Sequence, residues 1–178
     1  QTLAGTGTYA NVQVNNPGGV RLGNNSTITD TLFLTNGTFS IYTGVTCTIG
    51  STGTSKGNII TTGGTMNSST GTTSNLQILG NASAPQITNL KLTLNGSLTV
   101  DRANGIRLGA AGSIAKAMTL TNSVVDLGGN NLYVGKTTTA DLNIICTGCL
   151  ITNSIPTAGT FSLLGNASAP VVSGLRMD

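Results

Sequence analysis

Apolar and polar residues alternate in short runs along the whole chain: Val12-Gln-Val14, Leu32-Phe-Leu34, Phe39-Ser-Ile41, Leu90-Lys-Leu-Thr-Leu94, Leu98-Thr-Val100, Met118-Thr-Leu120 and Leu132-Tyr-Val134. A period of two is the signature of strands with one buried face, and no stretch carries the 3.6-residue period of a helix. Asn-Gly, Gly-Gly, Gly-Asn and Pro-Gly steps separate the runs and supply the positive φ that tight corners require. Many strands of three to five residues follow, joined by sharp corners.

The chain also repeats itself. Leu79-Gly-Asn-Ala-Ser-Ala-Pro85 recurs unchanged as Leu164 to Pro170, and the same offset of 85 aligns Asn58-Ile-Ile with Asn143-Ile-Ile and Leu76-Gln-Ile78 with Phe161-Ser-Leu163. At an offset of 86, Gly19-Val-Arg-Leu-Gly23 matches Gly105-Ile-Arg-Leu-Gly109, and Leu32 to Asn36 matches Met118 to Asn122. Two tandem modules, about 1–93 and 94–178, make up a single domain, and the second carries roughly eight extra residues around Thr93 to Asp101. Tandem copies of short strands stack naturally on equivalent strands of the next coil. The expected fold is all-β: a single-stranded, right-handed parallel β-solenoid (β-helix) of roughly eight coils about 4.8 Å apart. An antiparallel β-sandwich is the alternative, because its strands alternate in the same way.

Composition sharpens this. Thr, Gly, Asn and Ser supply 90 of the 178 residues, and all four are weak helix formers. Eight Lys or Arg stand against five Asp, with no Glu and no His, so most acid–base and metal chemistry has no residues to use. The net charge of +3 comes from scattered side chains and argues for neither a nucleic-acid partner nor a membrane surface. No apolar stretch approaches membrane-spanning length, so membrane insertion is not expected.

The segment Met118-Thr-Leu-Thr-Asn-Ser-Val-Val-Asp-Leu-Gly-Gly-Asn-Asn-Leu-Tyr-Val-Gly135, after Asn104-Gly-Ile-Arg-Leu-Gly109, resembles the Thr/Asn/Gly-rich repeats of large secreted surface proteins of Bacteroidetes, the cargo of the type IX secretion system. The resemblance implies a β-helix stalk of adhesin type, extracellular or on a bacterial cell surface. Asp30-Thr31-Leu32 is similar to the O-glycosylation pattern of those bacteria, with Thr31 as acceptor.

Candidate sites are few. Cys146 and Cys149 appear together where the sister module has Thr61 and Gly64, which favours a mutual disulfide, while Cys47 reads as a small buried hydrophobe. The aspartates Asp30, Asp101, Asp126, Asp141 and Asp178 are dispersed, and Asp101 beside Arg102 reads as a solvated loop pair. Neither catalysis nor a cofactor or metal is expected. Surface glycans are a candidate partner, although the chain has no Trp and only three Tyr on which a sugar could stack. The alternative function is a carbohydrate-binding or ice-binding β-helix, although a flat ice face is disfavoured: Thr46 and Thr48 align with Asn131 and Tyr133 of the second module, so the threonines recur at no common repeat position. Finally, Tyr9, Val12 and Val14 at one end, and Val171, Leu175 and Met177 at the other, belong to strands like the internal ones. These residues are the expected edges through which copies stack head to tail into a filament, or through which a longer stalk continues.

Overall fold

In the computed structural model, which describes residues 1–69, 73–136, 143–155, 158–166, 172 and 174–178, the alternating runs become twenty short strands, with no helix among the described residues. Eight form the first sheet: β1 (Thr2–Leu3), β3 (Val20–Leu22), β5 (Thr38–Ile41), β8 (Thr65–Ser68), β11 (Leu92–Leu94), β14 (Gly112–Ile114), β17 (Leu132–Gly135) and β20 (Phe161–Leu164). The second sheet holds β2 (Gly7–Asn15), β4 (Ser26–Asn36), β6 (Thr46–Ile49), β9 (Asn75–Leu79), β12 (Ser97–Asp101), β15 (Ala117–Thr121) and β18 (Asn143–Thr147). The third holds β10 (Ile87–Leu90), β13 (Ile106–Leu108), β16 (Val124–Asp126) and β19 (Leu150–Thr152). The strand β7 (Asn58–Thr61) pairs the second half of β4 and lies against β10, extending the third face toward the amino end.

All pairings between these strands are parallel, so the chain is a β-solenoid and the antiparallel sandwich is ruled out. The expectation of roughly eight coils is corrected to about six turns. β1 is only two residues long, and β20 begins a turn that is not fully described. The coils are also longer than a uniform repeat of about twenty residues assumes. Val20 pairs with Phe39, Phe39 with Met66, Leu92 with Met66, Gly112 with Leu132 and Leu132 with Phe161, so one turn uses 19, 27, 26, 20 or 29 residues. The longer turns carry loops, for example at 50–57 and 80–86.

Inward columns hold the rod together. In the second sheet Tyr9, Ile28, Ile49, Ile78, Val100, Leu120 and Cys146 stack in register, with Ser26, Cys47, Leu76, Leu98, Met118 and Ile144 beside them. Most are fully buried and join the inner residues of the other sheets in one continuous core. Cys47 sits inside it, and burial pushes its thiol up to about 12, so it is inert at neutral pH.

The sequence repeat does not keep its face. Gly19–Gly23 frames β3 in the first sheet, but its repeat, Gly105–Gly109, frames β13 in the third. The end of β4 repeats as β15, β7 repeats as β18 and β9 repeats as β20, and each copy falls one face back. The extra residues are the cause. Val12-Gln-Val14 of the first module corresponds to Leu90-Lys-Leu92 of the second, and both precede the Gly-x-Arg-Leu-Gly segment. In the first module that segment follows at once on the first sheet. In the second, β11 and β12 intervene, so the segment arrives two thirds of a turn later.

Candidate functional site

Two places bring ionisable groups out of ordinary solvent. At the third face, Asp126 accepts hydrogen bonds from the Gly128 and Ser154 amides, both at 2.9 Å, and its carboxylate lies 3.4 Å from Arg107 Nε. Burial alone would raise its pKa. The Ser154 and Gly128 hydrogen bonds and the Arg107 charge outweigh this and hold the carboxyl below its ordinary value of 3.8. The arrangement ties the coil of Asp126 to the coils on either side of it.

Arg102 departs from its expected solvated loop. It is 1% exposed and makes no ion pair with Asp101; its guanidinium instead donates to the Gly57 carbonyl at 2.5 Å and the Pro85 carbonyl at 2.6 Å. Burial lowers its pKa to about 10, and its Nε finds no partner among the described residues. The side chain pins the loops 50–57 and 80–86 against the rod. The first loop closes on a neck where Gly50 (φ +77°) and Gly57 (φ +85°) pass so close that a Cβ on Gly57 would lie 2.4 Å from the Gly50 Cα. Only glycine fits both the backbone angle and the approach.

Cys146 and Cys149 are disulfide-bonded across the turn between β18 and β19. Cys149 borders a shallow recess of about 390 Å³ with Asn122, Ser123 and Arg176, which presents no paired acid or base. The other aspartates stay apart: Asp30 pairs with Lys56 at 3.3 Å, Asp101 ends β12, Asp178 lies at the last residue, and Asp141 falls outside the described residues. Among the described residues no three Asp or Cys side chains gather as metal ligands. Thr31 is buried, and its hydroxyl lies 3.4 Å from Asp30 Oδ1.

Tyr9, Val12 and Val14 lie on β2, the outermost strand of the second sheet at the amino end. Val14 is fully buried, so it offers its strand's backbone edge and no side chain. At the other end Leu175 packs on the core and Met177 bridges to Ile151, while Val171 lies outside the described residues.

The outer face of the second sheet carries a feature that repeat alignment misses. Thr8, Thr27, Thr48, Gln77, Thr99, Thr119 and Ile145 stand in one straight in-register column. The repeat partners of Thr48 and Thr119 are Tyr133 and Phe33, which lie on other faces because the modules are out of phase. Equivalent repeat positions thus stand on different faces, and the threonine column is built from positions that are not equivalent in the repeat. Only strand pairing could have found it.

Matched against family models, curated proteins and solved structures, the chain finds no counterpart in any of the three.

Proposed function

We propose that the chain is a structural or adhesive β-solenoid module of an extracellular surface, without a catalytic role. The observation that carries this reading is the open strand edge at the amino end: β2 leads the second sheet and has no outer neighbour among the described residues. An unpaired parallel edge is a template for another strand. A further coil, from a second copy or from continuation of the same solenoid, completes it. Copies joined this way make a heterologous contact that does not close and so extend into filaments.

The coil is read as right-handed, the hand that parallel crossover connections adopt almost without exception. The Cys146–Cys149 bond suits an oxidising compartment, in keeping with the cell-surface setting that the resemblance to Bacteroidetes secreted repeats implies. Partners on this reading are the protein itself and surface glycans.

Electron microscopy and sedimentation across a concentration series test the assembly. The wild-type chain is expected to form rods that lengthen with concentration. Asn11→Lys with Gln13→Lys places two charges on exposed positions of β2 and should leave the fold intact while abolishing growth. Wild-type protein that stays monomeric throughout, or a double-lysine variant that assembles equally well, overturns the stacking.

A further inference from the structure

We propose that the outer face of the second sheet binds the surface of ice. This stands apart from end-to-end stacking, since it uses the side of the rod rather than its edges.

Geometry comes first. Five of the seven residues in the central column are threonine, and a second, mixed column two residues earlier in the strands runs through Thr46, Asn75 and Ser97 to Ala117 and Asn143. Neighbours within a column are about 4.8 Å apart and the two columns about 6.7 Å apart, so the outward groups repeat on a two-dimensional grid led by the threonine column. Over the first three coils the columns flank an open trough of about 440 Å³ lined by Thr6, Thr8, Asn25, Thr27, Thr46 and Thr48. Each β-branched side chain is held to few rotamers, so little entropy is lost when the grid meets an ordered surface.

Chemistry comes second. The hydroxyls of Thr8, Thr27, Thr99 and Thr119 make no hydrogen bond to any described residue, whereas Thr48 bonds to Gln77 and Thr46 to Asn75. Neither column contains a charge. The cations Arg21, Lys91 and Arg107 stand on or beside the other two sheets; at the margins of this one Lys116 precedes β15 and Asp101 ends β12, in register with Leu79 and Thr121. A neutral column dominated by threonine methyls and hydroxyls can meet the water lattice, where a charged face would impose its own hydration. A sugar would want an aromatic platform, and the two columns offer none.

The third observation is the phase shift. Strands reach this face from non-equivalent repeat positions: Thr119 replaces the outward Phe33 of the sister module, Thr48 has Tyr133 as its counterpart, and Thr99 lies in the extra stretch with no counterpart. Threonine is kept by the face rather than by the repeat. The first sheet, built from the same modules, mixes Arg21, Asn67 and Tyr133 in its outward column.

The test uses the chain as it stands. Wild-type protein should partition into a slowly growing ice front and depress the freezing point below the melting point. Thr27→Tyr and Thr99→Tyr should lose most of both effects, while Ser113→Tyr on the first sheet keeps them. If the tyrosine variants lack wild-type secondary structure by circular dichroism, Thr99→Lys carries the same comparison. Wild-type protein excluded from ice overturns the proposal, as does equal loss in Ser113→Tyr. Retention on cellulose or chitin without ice activity, or self-association that Thr99→Tyr abolishes, reassigns the face and equally overturns it.

Discussion

Asp126 shows how much one residue carries in a chain with few charges. In the first module its place is taken by Ser40, which bonds within the first sheet to Asn67 at 2.6 Å. In the second module the carboxylate gathers two amides and a guanidinium at a coil corner. Its pKa is lower folded than unfolded, so its contribution to stability is complete above the ordinary carboxylate value of 3.8 and is lost as pH falls through the folded value. A melting-temperature series should therefore be level near neutrality and decline below about pH 4. Asp126→Asn should cost about 1–2 kcal/mol at pH 7 and flatten that decline. A decline as steep in the variant as in the wild type would locate the acid sensitivity elsewhere. The sequence shows Asp126 as one dispersed acid among five; its partners Ser154 and Arg107 are distant in the chain and meet it only through coil stacking.

At the scale of elements, strands and loops differ in what specifies them. Strands such as β12 and β15 follow from alternation alone, because their Leu, Val and Met must face inward together. The loops 50–57 and 80–86 are polar and glycine-bearing and have no such pattern. They are fixed by Arg102, whose buried guanidinium reaches the backbone of both. Arg102→Met should destabilise the chain by about 1–3 kcal/mol, because it removes charged hydrogen bonds to the carbonyls of buried Gly57 and exposed Pro85. Trypsin cleavage after Lys56, at the edge of the first loop, should accelerate markedly. Unchanged cleavage in folded Arg102→Met would show the loop to be held by its glycine neck alone.

At the scale of the whole molecule, the phase between modules is set by a short insertion. Without residues 93–100, Leu92 would be followed by Asp101, and the second module would read like the first, in which Val14 leads through a turn to β3. Deleting 93–100 should give a folded rod shorter by two thirds of a turn, with Arg107 moved from the third sheet to the first, beside Asn67. Spin labels at 67 and 107, on different faces in the intact chain, should then approach to adjacent-strand distance. Labels that remain far apart in a folded deletion variant would show that the modules keep their faces by another means.

What the sequence determined by itself is the kind of fold: alternation forces strands, glycine and asparagine steps force corners, and tandem repetition makes the strands stack in parallel. It also paired Cys146 with Cys149 and placed Cys47 inside, since neighbouring positions and apolar context are local facts. The number of turns, the face on which each strand lies, the burial of Arg102 and the threonine column were decided by the tertiary structure. These depend on how many residues each corner consumes, and loops of different length are equally polar and equally silent in sequence. A shift of one strand segment moves every later side chain to a new face without changing its alternation. Only the pairing of coils fixes which residues stand side by side.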